Sequence, residues 1–361
     1  MADTSPRFVA RFATGDEQQR WDSLVVANPN GGNLLQSLSF ADVKSRHGWR
    51  PRFLVLDGAG YTSHNLVLEK RVPGLGSLWY LIKGPAVTEP SHVAPAAQAV
   101  VELARREKHP VFAVKVEPDL VDGPEARKAL LDAGLVKTFN LQPNDSTALL
   151  DTTPEANQLL RSLHSRGRNA VRRAIREGVE VQRMEPTEET FRAMYALMSH
   201  VEDRSSARMR SFEYYERFWQ NFVDAGQGRF YFAHEDGEPS VGAFVIAYGS
   251  KGTYKDGGSR PGRKQYGDSH LVQWTAINDL KDEFGIVEYD FCGTPPGDRL
   301  KDTTHPHHGL GLFKTSFSKT VTDYVGCHDL VVSGWKYRVW NTIAERVVRQ
   351  VHWRRTHQPF Y

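Results

Sequence analysis

Strand-like and helix-like segments alternate along the chain, and the whole alternation runs through twice. In the first half FVARFA reads as a strand, followed by the helices EQQRWDSLVVA and LLQSLSFADVKSRHGW. The strands PRFLVLDG, NLVLEKRVP and SLWYLIKGPAV come next, then the long helix HVAPAAQAVVELARREKH and the strand VFAVKVEP. Such alternation makes a layered α/β fold in which helices cover a mixed sheet. From Pro154 the plan begins again. PEANQLLRSLHSRGRNAVRRAIREG is a helix with Pro154 near its start and Gly178 at its end. EVQRME, two amphipathic helices, the pair GRFYFAHEDG and PSVGAFVIAYG, KGTYKDGG, the helix HLVQWTAINDLKDEFG and VEYDFCG follow, with FKTSFSKTVTDYVG read as the last strand. No residue-level repeat is visible, so the duplication rests on element order. With 361 residues the chain has room for two domains, placed at 1–148 plus 328–361 and at 149–327. The tail Lys336–Tyr361 reads as a basic amphipathic helix packing back on the first.

Bulk properties exclude several classes. No apolar run approaches the roughly 20 residues that span a bilayer, and no secretory leader pattern opens the chain. Two cysteines, Cys292 and Cys327, are too few for a disulfide framework, so reduced thiols and a cytoplasmic setting are expected. The net charge is only +3, but it is unevenly spread. Between Arg161 and Arg176 stand six arginines and no acid. Arg161, Arg168, Arg172 and Arg176 share one face if the segment is a single helix. The tail adds Arg349 and Arg354 among other cations, interleaved with tryptophans. A solvated helix face is the alternative reading for each segment. Arginine rather than lysine favours forked contacts to phosphate, and two such segments suit the backbone of an RNA.

Familiar chemical signatures are missing. There is no P-loop, no GxGxxG after a strand and no GxSxG elbow. The run HPHH at 305–308 lacks partners at metal-site spacing, so no metal is expected. An acyl-CoA transferase would need a pyrophosphate loop before HLVQWTAINDL. GGSRPGRKQYGDS has the wrong glycine spacing for it, and no cofactor is expected. Lys314 poses the sharper question. It follows Phe313 in a stretch that reads as buried, and a buried ammonium needs an anionic or electron-rich partner. A lysine snorkelling to water is the alternative.

LLQSLSFADVKSRHGW, LWYLIKGPAV, KVEP, LQP, LLRSLHSRGRNAVRRAIREGVEV, YKDGGS, HLVQWTAINDLKDEFGIVEYDFCGT and GLGLFKTSFSKTVTDYVG stand in an order that resembles the Fem-type (FemABX) aminoacyltransferases. The resemblance spans residues 34 to 330 and implies two GNAT-like domains. It implies transfer of an amino acid from aminoacyl-tRNA to an amine of a peptidoglycan precursor, building the interpeptide bridge of the cell wall. Because the Arg-rich helix passes directly to EVQRME, the chain is similar to compact members without a helical arm. By the same resemblance Lys314 and Phe313 sit at the reacting centre, where an ammonium would stabilise charge developing on the ester carbonyl. Glu117 of KVEP aligns with a position usually Asp and is a candidate base, with a structural strand-end acid as the alternative. Lys44, Arg210, Tyr214 and Tyr254 fall where the family holds the acceptor. Arg204 and Arg208 could replace Arg210, and Tyr214 could be core.

The implied partners are an aminoacyl-tRNA and a UDP-linked or lipid-linked muramyl peptide, with no DNA, and the protein is expected to act as a monomer. A lipid-linked acceptor would bring it to the inner face of the plasma membrane as a peripheral contact, although no amphipathic anchor is evident. Two other readings stay open: a ligase using aminoacyl-tRNA on a peptide outside the cell wall, and an inert RNA-binding member of the same fold.

Overall fold

The computed structural model describes residues 7–142, 145–202 and 209–361. The strands of the first half are β1 (Phe8–Phe12), β2 (Arg50–Gly58), β3 (Tyr61–Val72), β4 (Gly76–Leu81), β5 (Val111–Val116) and β6 (Val136–Lys137). The second half contributes β7 (Ser146–Asp151), β8 (Val181–Met184), β9 (Gly228–Glu235), β10 (Glu238–Tyr248), β11 (Lys251–Ser259), β12 (Glu288–Gly293) and β13 (Thr322–Asp323). The chain then returns with β14 (His328–Val331). Two seven-stranded sheets result, ordered β1-β2-β3-β4-β5-β14-β6 and β13-β7-β12-β11-β10-β9-β8.

The duplication is plain in the pairing. In the first sheet β1 to β4 are antiparallel neighbours, β4 and β5 run parallel, and β14 closes antiparallel on β5. In the second, β8 to β11 are antiparallel, β11 and β12 run parallel, and β7 closes antiparallel on β12. A parallel pair needs a crossover. The helices Val93–Arg105 and Asp268–Phe284 supply it, each burying an apolar face. Each unit has its own core, with Trp79, Val100 and Val114 fully buried in one and Tyr231, Val245 and Tyr289 in the other.

One unit takes the chain up to Asp145 together with Tyr324–Tyr361, and the other takes Ser146–Asp323. These boundaries lie a few residues before the expected ones. Ser146 already begins β7 of the second sheet, and Tyr324 bridges to Val121 within the first unit. As expected, the tail packs on the first unit. It comprises the helix Gly334–Val339, a π turn at Trp340–Ala344 and the helix Glu345–Thr356. Trp340 is fully buried and its ring centroid lies 5.5 Å from that of Phe112.

Two expectations are corrected. FKTSFSKTVTDYVG is not a strand: Lys314 ends the helix His308–Lys314, and only Thr322–Asp323 joins a sheet. Leu310, Phe313 and Phe317 recur at helical spacing, a signal that the hydroxyl residues and glycines obscured. The Arg-rich segment is likewise two helices, Ala156–Ser162 and Ser165–Arg176, because Leu163 and His164 adopt extended backbone. The break lets the second helix lie against the Ser316 carbonyl, which a Cβ on Gly167 would approach to 2.3 Å.

Trp340→Ala should cost about 3–5 kcal/mol in urea unfolding, the usual range for emptying a core aromatic site. A loss under about 1 kcal/mol would mean that the tail contributes little to the first unit.

Candidate active site

Lys314 is 6% exposed. Its ammonium donates to the Gly293 carbonyl at 2.8 Å and lies 5.9 Å from the Tyr254 ring centroid. Burial lowers its pKa to about 8, against the opposing negative charge of Asp290. As the last residue of its helix it also faces the negative end of the backbone dipole, which favours a cation. Among the described residues Gly293 takes one of its three N–H donors, leaving capacity for a ligand oxygen.

The Gly293 carbonyl reaches Lys314 because β12 bulges. Pairing with β7 shifts register between Asp290 and Gly293, and Cys292 takes a left-handed φ of 57°. The Asp290 carboxylate holds the bulge by accepting from the Cys292 amide at 2.6 Å and from the Thr147 hydroxyl. Burial pushes the Cys292 thiol up to about 12, so it stays a neutral wall of the site. A bulge of this kind re-aims a backbone group, here the Gly293 carbonyl toward Lys314. The sequence reading missed Asp290 and Cys292, because nothing in VEYDFCG distinguishes a bulge from a plain strand.

Phe313 points to a second feature. It lines a cavity of about 410 Å³ with Arg260, Arg263, Tyr266 and His270. The His270 ring meets Phe313 edge-on at 4.9 Å and stacks on Phe317 at 5.5 Å, and its Nε2 lies 3.1 Å from the Ser316 hydroxyl. Burial lowers the His270 pKa to about 4, so the ring is neutral near pH 7. The loop rejected above as a pyrophosphate cradle forms this wall. Its Lys264 and Gln265 amides donate to Glu235 at 2.7 and 2.9 Å, so Glu235 takes the donors that such a cradle would offer. Arg263 pairs with Asp268 at 2.7 Å and Arg260 with Glu235 at 3.1 Å.

The other expected residues divide between the units. In the second, the Arg210 guanidinium lies 4.4 Å from the Tyr214 ring centroid, and its carbonyl accepts from the Tyr195 hydroxyl at 3.0 Å. Tyr214 itself is buried, a platform under Arg210. Arg204 and Arg208 lie outside the described residues. Tyr254 stands on β11 with its hydroxyl over Gly257, where a Cβ would come within 1.7 Å. Beside it Lys255, unnoticed in the sequence, pairs with Asp256 at 3.1 Å, and Asp256 also accepts from the Trp219 indole at 2.9 Å. In the first unit Lys44 stands in the last turn of the helix Leu38–Ser45, buried, with its ammonium 5.4 Å from the Phe40 ring centroid. Glu117 is buried there too. It accepts from the Tyr80 hydroxyl and from the Gln142 amide at 3.3 Å, and burial raises its pKa against the opposing charge of Lys83.

The arginine set is not one face. Arg161 belongs to the earlier helix, and Arg168 donates to the carbonyls of Arg161 and Leu163 at 3.1 Å, satisfying the groups a helix end leaves unpaired. Arg172 and Arg176 are exposed on the second helix. Arg349 stacks 4.6 Å from the Phe139 ring centroid, and Arg354 is exposed. Among the described residues no cluster of three or more metal-ligating side chains occurs.

The family profile described as an acetyltransferase (GNAT) domain matches residues 165–302. A lipid II:glycine glycyltransferase of Staphylococcus aureus (strain MRSA252) is 23% identical over 412 aligned positions, covering 92% of this chain and 95% of that protein. The chain is a homologue of the Fem-type transferases. The crystal structure of FemX superposes with a TM-score of 0.75 at 20% identity, over 93% of this chain and 99% of that one. A protein of unknown function from Bacteroides thetaiotaomicron gives 0.54 at 12% identity, over 89% and 98%. Both units of this Fem-type homologue are thus GNAT-like in fold. No hairpin separates Arg176 from β8, which begins at Val181.

Lys314 supplies a stability test. Its pKa is about 8 in the folded protein against 10.5 ordinarily, so between these values the unfolded chain holds more protons. Stability from this group therefore rises with pH through that window, by about 3 kcal/mol. Urea unfolding at pH 7 and pH 10 should show wild type gaining on Lys314→Met by this order. Parallel behaviour of the two proteins would contradict the burial of a charged Lys314.

Proposed function

We propose that the protein transfers an amino acid from an aminoacyl-tRNA to an amine on the stem peptide of a peptidoglycan precursor. The observation that carries this reading is the buried ammonium of Lys314, held by the Gly293 carbonyl beside Tyr254. Homology to lipid II:glycine glycyltransferases supports the acceptor class. The exposed Arg172 and Arg176 support an RNA donor.

In the reaction the acceptor nitrogen attacks the ester carbonyl carbon and an N–C bond forms. Negative charge collects on the carbonyl oxygen, where Lys314 donates a hydrogen bond. The C–O bond to the ribose then breaks, and the proton lost by the amine ends on the released ribose hydroxyl. Lys314 acts more on the transition state than on the ground state, and removing such a donor costs roughly a hundred- to thousandfold in rate. Glu117 is occupied by Tyr80 and Gln142, so we assign it a structural part and route no proton through it.

Purified protein, pooled radiolabelled aminoacyl-tRNAs and a UDP-linked muramyl pentapeptide should give label in the peptide, and Lys314→Met should lose it by at least a hundredfold. Label reaching neither this acceptor nor its lipid-linked form would overturn the proposal. The pH profile is a second check. Neutral acceptor amine increases with pH up to about 10.4, whereas protonated Lys314 is lost above about 8. The logarithm of the rate should therefore climb below about pH 8 and flatten above it, and any residual rate of Lys314→Met should keep climbing. Arg172→Glu with Arg176→Glu should weaken tRNA binding and flatten its salt dependence, without altering binding of the muramyl peptide.

A further inference from the structure

The tail segment from Gly334 to Thr356 has an unusual outer face. Its inner face is settled: Tyr337, Trp340 and Val348 pack on the first unit, and Glu345 is buried 3.5 Å from the Lys115 ammonium. Outward stand Trp335, Val339, Ile343, Val347 and Val351, at 65, 44, 65, 49 and 40% exposure. They recur every four residues. In an ideal α-helix that spacing drifts about 40° per step and would wind the row around the helix. The wider π turn at Trp340–Ala344 turns part of the drift back, so the row stays on one side. The outer face of a helix on a water-soluble unit is ordinarily polar. Here five apolar side chains extend over about 24 Å at 1.5 Å per residue.

The surrounding charge says what could cover them. Lys336, Arg338, Arg346, Arg354 and Arg355 stand in the same segment, Arg349 lies against the Phe139 ring, and the single acid of the segment, Glu345, is buried. We propose that this face docks on an anionic lipid bilayer, with the apolar row entering the headgroup boundary and the cations of the segment meeting lipid phosphates. A helix with an apolar stripe, a tryptophan and a cationic border lies in the interface plane and does not span. Among the described residues no helix is long and apolar enough to cross a membrane. An RNA would pair with the arginines but leave the apolar row facing water. A second copy of the chain would set the same cations against each other. The sequence reading found no amphipathic anchor, because the row follows a spacing of four that only the π turn keeps on one face.

The proposal goes beyond the transfer reaction, and its main readout, binding to vesicles, needs neither tRNA nor acceptor. Full-length protein should cosediment with vesicles of phosphatidylglycerol and phosphatidylcholine, and less with phosphatidylcholine alone. The variant Trp335→Ser/Ile343→Ser/Val347→Ser should lower the partition coefficient at least tenfold, with circular dichroism, Tm and transfer to a soluble acceptor unchanged. Arg346→Glu should weaken partition and reduce its sensitivity to salt. No partition by wild type, or partition unchanged in the triple variant, overturns the proposal. So does a triple variant that loses tRNA binding in a gel-shift assay, which would assign the face to RNA. A change from dimer to monomer in analytical ultracentrifugation overturns it equally, in favour of a contact between copies.

Discussion

A charged lysine placed out of water is the constraint around which the second unit is arranged. Desolvation of an ammonium is costly, and at Lys314 three features offset it: a helix C-terminus, the Gly293 carbonyl and the nearby carboxylate of Asp290. None forms a tight ion pair, and the proton is accordingly held less firmly than in water. That imbalance suits the role proposed for Lys314, a donor to charge that appears only during a reaction. A close salt bridge would have satisfied the ammonium beforehand and left less for a developing oxyanion. The left-handed Cys292 and the register shift in β12 are the backbone cost of presenting Gly293 to it.

The duplicated sheet explains how one scaffold serves unequal purposes. Each unit opens a parallel pair beside a crossover helix, and in each the closing strand comes from elsewhere in the chain, β14 or β7. The second unit carries the buried Lys314 and the cavity walled by Arg260, Arg263 and Phe313. The first instead carries buried polar groups, Glu117 with Tyr80 and Lys115 with Asp329, sealed in part by the tail.

Much of this was legible in residues. Alternating strand and helix patterns yielded the fold class, the two units and the packing of the tail, because apolar periodicity is set by burial and burial is what a layered fold requires. Lys314 could be singled out because a charge in a stretch that reads as buried needs a reason, whereas Tyr254 was reached only through the family resemblance. The helix at His308–Lys314 was hidden, since glycines and hydroxyl residues dilute the spacing of Leu310, Phe313 and Phe317. The break at Leu163–His164 was equally hidden, as it depends on a distant carbonyl, that of Ser316, meeting Gly167. Asp290, Cys292 and His270 act through tertiary neighbours and carry no local signal.

The protonation state of Lys314 decides whether the site holds a poised ammonium, and carbon-13 NMR of the lysine Cε groups reports it directly. One resonance, missing from Lys314→Met, should titrate near pH 8. If the resonance lost in that variant titrates at the ordinary lysine value, Lys314 is solvated in solution, and its place as the poised ammonium of the site is lost.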